Sequence, residues 1–269
     1  MARDRGPSLN ELLGIAERLA REAGVIALKG RRSGDLGTST KSSPTDMVTK
    51  YDKLCEKLIV DGISSARPHD AIVGEEGANK PGSTGIEWHI DPIDGTTNFV
   101  FDQPNWSVSI GVRDADGPLV GAVYVPVLDE MFTASRGGGS YRNGTPIAPR
   151  DVTSVSDALV ATGFSYDPAA RSRHGRTVAS MVGNIRDLRR LGAASVDICF
   201  VACGRLDAYV EGGLNSWDIM AAQLVATEAG CTVSDFAGGP VVPAEVIASS
   251  PAIHGGIIDL FARASKESS

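Results

Sequence analysis

The spacing of apolar residues at the start of the chain predicts two helices. Ser8-Leu9-Asn10-Glu11 has the pattern of a capping box. The apolar positions that follow at helical spacing are Leu12, Ile15, Ala16, Leu19, Ala23 and Ile26. A polar stretch rich in glycine and serine, residues 33–44, leads to a second periodic segment. The buried side of that second helix is marked by Val48, Tyr51, Cys55, Leu58, Ile59 and Ile63.

Beyond Pro68 the pattern changes to short strands. They are predicted at residues 71–73, 87–90, 107–112, 119–125 and 131–134. The turn dipeptides Asp116-Gly117 and Asn143-Gly144 lie between strands and favour antiparallel connections. Residues 1–150 are therefore predicted to form an N-terminal α+β lobe with an antiparallel sheet.

From about residue 150 single strands alternate with helical stretches. The strands are predicted at residues 158–161, 208–210 and 246–248, and the helices at 171–185, 196–203 and 217–229. This rhythm predicts a C-terminal α/β lobe over residues 151–269. Because no long linker separates the lobes, we expect a cleft between them to be the functional site.

Composition and charge narrow the class of protein. The 269 residues are 42% hydrophobic and 22% charged, which is typical of a globular protein with a sizeable core. Lys and Arg number 26 and Asp and Glu 33, a net charge of −7, so the surface should repel nucleic-acid phosphates. We therefore expect a small-molecule substrate and no nucleic-acid partner.

Cysteine usage and the N-terminus bear on the compartment. The scattered residues Cys55, Cys199, Cys203 and Cys231 are expected to be reduced core thiols, as in the cytoplasm. Residues 1–7 are charged and lack an apolar targeting segment, and the longest apolar-rich run, residues 120–127, is far shorter than the roughly 20 residues that span a membrane. The sequence therefore predicts a cytoplasmic protein that does not enter membranes.

Acidic residues follow two of the predicted strands. Glu75-Glu76 comes after residues 71–74, and Asp91 and Asp94 come after residues 88–90. Asp91 and Asp94 are ordinary turn residues when taken singly, but together the four acids would project from one sheet edge. Two carboxylates 4 Å apart repel by about 4 kcal/mol at an effective dielectric near 20. Bound Mg²⁺ or Mn²⁺, which prefer oxygen ligands, would remove that cost.

The residues directly after Asp94 suggest a phosphate site. Gly95-Thr96-Thr97-Asn98 can expose successive backbone N–H groups, as turns that cradle phosphate do. We therefore expect a metal ion and a phosphate to meet at Asp94-Gly95-Thr96.

Residues 88–99, Trp-His-Ile-Asp-Pro-Ile-Asp-Gly-Thr-Thr-Asn-Phe, resemble the first signature of the inositol monophosphatase family. Companion motifs follow the family order at residues 41–46, 74–76, 208–211 and 217–218. The resemblance implies a layered αβαβα sandwich, usually a homodimer. It also implies metal-dependent, lithium-sensitive hydrolysis of a phosphate monoester, with water as the nucleophile.

Carried over by position, the resemblance implies two Mg²⁺ sites, with Mn²⁺ as a substitute. One ion is held by Glu75, Asp91 and the Ile93 carbonyl, and the other by Asp91, Asp94 and Asp218. Glu75 would also touch a third, weaker ion.

The resemblance implies catalytic and substrate residues as well. Thr96 with Asp52 is similar to the family's water-activating pair, and Glu75 is the competing base. The substrate-binding residues it implies are Asp94, Gly95, Thr96, Ala194, Glu211 and Asp218.

The substrate is less firmly indicated than the reaction. Glu211 matches a position that contacts inositol hydroxyls and favours inositol 1-phosphate. Phe101 and Ala193 replace residues that are commonly polar near the substrate, while Met220 and Cys231 are interpreted as packing changes. Histidinol phosphate, fructose 1,6-bisphosphate and 3′-phosphoadenosine 5′-phosphate stay open as substrates. A non-catalytic sugar-phosphate-binding regulatory protein is the alternative from another class.

Other enzyme classes lack their motifs. A haloacid-dehalogenase-type phosphatase needs the motif Asp-x-Asp-Gly-Thr, and Pro92 stands where that motif has its nucleophilic aspartate. Neither a P-loop, nor a Gly-x-Ser-x-Gly elbow, nor a His-Glu-x-x-His zinc motif occurs in the sequence.

Overall fold

The computed structural model describes residues 8–41, 43 and 45–267. Residues 1–7, in which we predict no targeting segment, lie outside this range, as do Ser42 and Pro44 of the first companion motif. Within the described range, no helix has both the length and the apolar character needed to cross a membrane.

Helices and strands alternate along the described chain. The helices are α1 (Leu9–Ser33), α2 (Lys50–Ala66), α3 (Thr96–Val100), α4 (Pro168–Met181), α5 (Ala194–Ala202), α6 (Ser216–Ala229) and α7 (His254–Glu267). The strands are β1 (Ser39–Thr40), β2 (Met47–Val48), β3 (Ala71–Gly74), β4 (Asn79–Lys80), β5 (Glu87–Asp94), β6 (Ser107–Asp114), β7 (Gly117–Val125), β8 (Glu130–Ser135), β9 (Gly139–Arg142), β10 (Thr145–Pro146), β11 (Leu159–Thr162), β12 (Asp187–Arg189), β13 (Ala208–Gly212), β14 (Thr232–Ser234) and β15 (Glu245–Ser249).

Capping residues set the ends of the first two helices. The Ser8 hydroxyl accepts the Glu11 N–H at 3.1 Å, and α1 stops at Gly34 in the left-handed conformation (φ 80°). Thr49 caps α2 together with Asp52 in a capping box. Val48, which we expected on the buried side of the second helix, lies in strand β2 just before that cap.

An eight-stranded sheet forms the first β layer. Its strand order is β10-β9-β8-β7-β6-β5-β3-β4, and the pairs are antiparallel except for β3 beside β5. Helices α1 and α2 cover one face, and α5 and α6 cover the other. The antiparallel sheet predicted for the N-terminal lobe is therefore present, with one parallel pair that matters for the site.

A five-stranded sheet forms the second β layer, in the order β12-β11-β13-β15-β14. The pairs of β11 with β12 and β13 are parallel, and the rest are antiparallel. Its inner face packs on α5 and α6, and its outer face on α4 and α7. The five layers make the predicted αβαβα sandwich, and the boundary near residue 150 stays a prediction.

Helix α7 is not predicted by the sequence pattern, and strand β5 extends beyond its predicted end. Gly255 and Gly256 lower helix propensity in the first turn of α7, which hid its apolar period. Strand β5 does not end at Ile90 but continues to Asp94 through an irregularity between Asp91 and Asp94. A bulge of this kind is where a sheet tolerates a residue such as Pro92.

Two paired glycines let α6 lie directly on the first sheet. Gly111 and Gly121 are cross-strand partners on β6 and β7. A Cβ atom on Gly111 would stand 2.6 Å from the Met220 side chain, and one on Gly121 would stand 2.5 Å from the Ala221 carbonyl oxygen. Met220, interpreted above as a packing change, therefore fills space that Gly111 leaves.

Gly121→Ala should destabilise the protein by about 1–3 kcal/mol, because the new methyl group would collide with the α6 backbone, which cannot move away as a flexible side chain can. Gly14→Ala is the matched control, since a Cβ there meets nothing within 4 Å on helix α1. That control should leave stability equal or raise it by up to about 1 kcal/mol. Urea unfolding of both variants measures the difference, and equal stability of Gly121→Ala and the parent would contradict the packing argument.

Candidate active site

A cavity of about 310 Å³ lies where the ends of β3, β5 and β13 meet the first turns of α3, α5 and α6. Its lining includes Glu75, Asp91, Ile93, Asp94, Gly95, Thr96, Ala194, Glu211 and Asp218. The structure thus brings together every candidate site residue except Asp52. That side chain is fully buried and reaches the cavity only through Thr96.

The parallel pairing of β3 and β5 places two of the acids side by side. The Glu75 N–H donates to the Ile90 carbonyl at 3.2 Å, which holds Glu75 beside β5. The Asp91 carboxylate accepts the Ile93 N–H at 3.0 Å and is 2% exposed. The sheet-edge prediction is correct, although the strand itself carries Asp91 and Asp94.

Helix α5 binds Asp94 with its first turn. The Asp94 carboxylate accepts the N–H groups of Ala194 (3.2 Å) and Ser195 (2.7 Å) and the Ser195 hydroxyl (2.5 Å). Burial raises the pKa of Asp94 to about 6, against the lowering effect of these hydrogen bonds. Ala194, a candidate substrate contact, therefore already donates its N–H to Asp94.

Asp218 enters from the opposite side, in the first turn of α6. Its carboxylate accepts the Asn215 N–H at 2.6 Å, completing a capping box. The His89 ring nitrogen Nδ1 lies 2.8 Å from the Ser216 hydroxyl, which ties β5 to the start of α6. Burial, followed by the charge of Asp94, raises the pKa of Asp218 to about 8.

The carboxylates raise one another's pKa values. Burial, and then the charges of Glu75, Asp94 and Asp218, holds the pKa of Asp91 well above its usual range. Burial raises the pKa of Glu75, although Lys41 Nζ lies 2.9 Å from its carboxylate. Four acidic side chains therefore lie close together where water cannot fully screen their charges.

Lys41 supplies part of the positive charge needed to balance these acids. It ion-pairs with Glu75 and Glu76, and these charges outweigh burial and raise the pKa of its ammonium group. Among the described residues, no three His, Cys, Asp or Glu side chains stand in a ready coordination geometry. The carboxylates are instead engaged by Lys41, by backbone N–H groups and by each other.

The donor chemistry of the cavity fits a hard divalent cation. Carboxylates from β5, α6 and the residue after β3 surround it, and the Ile93 carbonyl belongs to the same lining. Oxygen donors of this kind suit Mg²⁺ or Mn²⁺. A cation would also relieve the repulsion that raises the pKa of Asp91.

Thr96 joins Asp52 to the cavity. Its hydroxyl lies 3.0 Å from the Asp52 carboxylate and 3.1 Å from the Ile93 carbonyl oxygen. Burial raises the pKa of Asp52 to about 6, against hydrogen bonds from Thr49 and Thr96 that lower it. A carboxylate with this pKa can exchange a proton near neutrality.

At the far wall of the cavity lies Glu211, on β13. The Tyr209 hydroxyl donates to its carboxylate at 2.5 Å. Burial raises the pKa of Glu211 to about 7, against the opposing effects of Tyr209 and Arg190. Arg190 is the one basic side chain among the described residues that line the cavity.

Three polar residues around the site are not predicted by the sequence pattern. Ser195 binds Asp94, and Glu56 accepts the N–H groups of Glu76 and Ala78, which fixes the loop after β3. Asp197 is 1% exposed, and its Oδ1 has no hydrogen-bond partner among the described residues. A single acid within the otherwise apolar run 196–202 was the signal that could have identified Asp197.

Known proteins resemble this chain over nearly its whole length. The inositol monophosphatase family model matches residues 8–266. The Nus factor SuhB of Pasteurella multocida is 40% identical over 253 residues, which cover 91% of this chain and 93% of that protein.

Solved structures show the same fold. Thermotoga maritima IMPase superimposes with a TM-score of 0.88 at 30% identity, covering 96% of this chain and 99% of that one. SaIMPase-II of Staphylococcus aureus, solved with bound inositol monophosphate, gives a TM-score of 0.82 at 27% identity and covers 97% of this chain and 98% of that one.

Asp218→Asn should stabilise the protein in EDTA, and more so at pH 9 than at pH 5.5. An unfolded aspartate ionises near 3.8 but the folded one near 8, so wild-type stability falls as pH rises through that window. The amide stays neutral and keeps an acceptor for Asn215. We expect a gain in Tm of several degrees at pH 9, measured by thermal unfolding.

Asp259→Asn on α7 is the control, because that aspartate is exposed. It should shift Tm equally little at both pH values. A gain from Asp218→Asn that did not grow with pH would contradict the electrostatic account.

Proposed function

The chain belongs to the inositol monophosphatase family, and from that premise we propose that it is a Mg²⁺-dependent phosphate monoester hydrolase acting on inositol 1-phosphate. The observation that carries the proposal is the convergence of Glu75, Asp91, Asp94 and Asp218 on one cavity. Such a cluster of buried like charges is costly unless it serves to bind cations. SaIMPase-II, a relative of the same fold, has been solved with inositol monophosphate bound.

We assign the ion ligands as the family resemblance implies. Glu75, Asp91 and the Ile93 carbonyl would hold one Mg²⁺, and Asp91, Asp94 and Asp218 another, with Glu75 reaching a third. Mn²⁺ could replace them. When bound, such ions polarise the phosphate and stabilise the negative charge of an in-line displacement.

The residues after β5 would orient the phosphate. Gly95 adopts a left-handed backbone (φ 88°) that turns the chain into α3, and it lines the cavity with Thr96. A Cβ on Gly95 would stand 3.0 Å from the Ala193 side chain, so only glycine fits the turn comfortably. Their backbone N–H groups are the proposed phosphate donors.

Thr96 and Asp52 are the favoured pair for activating the attacking water. Asp52 can accept the hydroxyl proton of Thr96, which frees the Thr96 oxygen to take a proton from water. Glu75, the competing base, is already engaged by Lys41 and Asp91. Hydrolysis then needs no covalent enzyme intermediate.

Glu211 would recognise the alcohol part of the substrate. Its carboxylate accepts from Tyr209 and can also accept from polyol hydroxyls at the cavity wall. The same chemistry on histidinol phosphate, fructose 1,6-bisphosphate or 3′-phosphoadenosine 5′-phosphate is the alternative within the enzyme class. From family membership we further propose a cytoplasmic homodimer.

A non-catalytic role is the second candidate function. The relatives named Nus factor SuhB, at 35–40% identity, carry a name that describes no phosphatase activity. In that case the chain would bind a sugar phosphate without hydrolysing it and would act as a regulatory protein. Retention of every proposed ion ligand favours the enzyme.

The protein should release phosphate from inositol 1-phosphate only when Mg²⁺ or Mn²⁺ is present. Asp91→Asn should lower kcat/KM by about a thousandfold, since it removes a carboxylate shared by both proposed ions. Millimolar Li⁺ should inhibit the Mg²⁺-supported rate. Phosphate release from a panel of monoesters, with Mg²⁺ or with EDTA, measures activity and ranks the substrates.

Phosphate release in EDTA would argue against the metal-dependent reaction. Binding of inositol 1-phosphate without turnover would support the non-catalytic role instead.

Thr96→Ala and Asp52→Asn should each lower kcat by about 10²–10⁴-fold, with little change in the Mg²⁺ concentration that gives half-maximal rate. Because the two residues act as a unit, the double variant should be about as slow as either single variant. Asp61→Asn is the control and should retain full activity, because Asp61 is an exposed acid on α2, the helix that carries Asp52. If the loss of kcat in the double variant equals the product of the two single losses, Thr96 and Asp52 do not act as a unit, which would favour Glu75 as the base.

A further inference from the structure

Two buried serines connect to Asp94 without lining the active-site cavity. Ser107 is the first residue of β6 and the cross-strand partner of Asp94, and Ser195 is the second residue of α5. Both serines are fully buried. With Asp94 they form a continuous chain of hydrogen bonds, which we call the serine relay.

The direction of each hydrogen bond in the serine relay follows from the charge on Asp94. Ser195 Oγ lies 2.5 Å from Asp94 Oδ2, and Ser107 Oγ lies 2.7 Å from Ser195 Oγ. An ionised carboxylate can only accept, so Ser195 gives its one hydroxyl proton to Asp94. Ser107 must then donate to Ser195. Hydrogen bonds that run in one direction polarise one another, so Ser107 strengthens the bond from Ser195 to Asp94.

Packing alone does not call for these hydroxyl groups. All nine residues of α5 are buried, and the strand position of Ser107 is buried as well. A buried hydroxyl must be hydrogen-bonded, whereas alanine at either position would fill nearly the same space without that requirement. The contact that both hydroxyl groups serve is the one with Asp94.

The two carboxylate oxygens of Asp94 are engaged unequally. Oδ2 accepts the Ser195 hydroxyl and also the Ser195 N–H, the latter at 2.7 Å, and these two bonds use both of its lone pairs. Oδ1 accepts the longer bond, 3.2 Å, from the Ala194 N–H. Oδ1 is therefore the oxygen with acceptor capacity left for a cation.

A carboxylate that offers one oxygen suits some divalent ions better than others. Mg²⁺ demands near-ideal octahedral geometry, which the narrow bite of a two-oxygen carboxylate contact distorts. The larger Ca²⁺ takes more ligands and accepts both oxygens of one carboxylate. We propose that the serine relay presents Asp94 to a divalent ion through Oδ1 alone, and that Ser107 and Ser195 thereby make the site prefer Mg²⁺ to Ca²⁺.

Competition between ions tests this proposal without reference to activity. Mn²⁺ bound to the metal-free protein, followed by electron paramagnetic resonance and displaced with Mg²⁺ or Ca²⁺, gives both dissociation constants. Ser195→Ala keeps the backbone N–H bond but frees one lone pair on Oδ2. We expect the ratio of the Ca²⁺ to the Mg²⁺ dissociation constant to fall about tenfold, mainly through weaker Mg²⁺ binding.

Ser107→Ala should lower the same ratio about threefold, because it removes one neutral hydrogen bond further from the ion. The double variant should match Ser195→Ala, since Ser107 acts only through Ser195. Ser140→Ala is the matched control and should leave the ratio unchanged. Ser140 is a buried serine of the same sheet whose hydroxyl donates to the Thr133 carbonyl at 3.5 Å.

An unchanged ratio in Ser195→Ala and Ser107→Ala would overturn the inference and leave the proposed hydrolase intact. Equal weakening of Mg²⁺ and Ca²⁺ binding would overturn it as well, because it would show a role in packing without selectivity. Should Ser195→Ala not fold, the ratio in Ser107→Ala decides the question.

The inference rests on the proposed function, because it takes Asp94 as an ion ligand. A wild-type protein that binds Mg²⁺ but hydrolyses no phosphate monoester would refute the hydrolase, and the two dissociation constants would still decide the inference. A wild-type protein that binds neither Mg²⁺ nor Ca²⁺ would overturn both.

Discussion

Repulsion among buried carboxylates is the constraint on which this structure depends. Asp91 is almost fully buried, and the charges of Glu75, Asp94 and Asp218 all raise its pKa. Few folds tolerate such a cluster, because each charge loses hydration without gaining a partner. The protein offsets part of the cost with Lys41 and with the first turn of α5. The remainder is the physical reason to expect cations.

The layered fold positions these charges. The first sheet presents Glu75 and Asp91 from adjacent parallel strands, and the middle helical layer directs the N-termini of α5 and α6 at the same cavity. Helix N-termini favour negative charge, which suits Asp94 and Asp218. Gly111 and Gly121 allow α6 to approach the sheet closely enough for Asp218 to face β5. The same contacts therefore pack α6 on the sheet and place Asp218 near the other acids.

A polar pocket and an exposed aromatic surface lie side by side in the structure. The acids, Thr96 and Asp52 form a polar pocket buried at the junction of the two sheets. Phe101 and Tyr166 form an exposed aromatic wall beside it.

Local pattern determined the helices α1, α2, α4, α5 and α6, about half of the strands, and the motif that carries Asp91, Asp94 and Thr96, because caps and periodicity act over a few residues. The resemblance to a family added Asp218 and Asp52, which lie far from that motif in the chain. Tertiary structure alone decided the continuation of β5 through Pro92, the capture of Asp94 by Ser195, and the burial of Asp197. Those features arise from contacts between distant segments, and no local spacing encodes them.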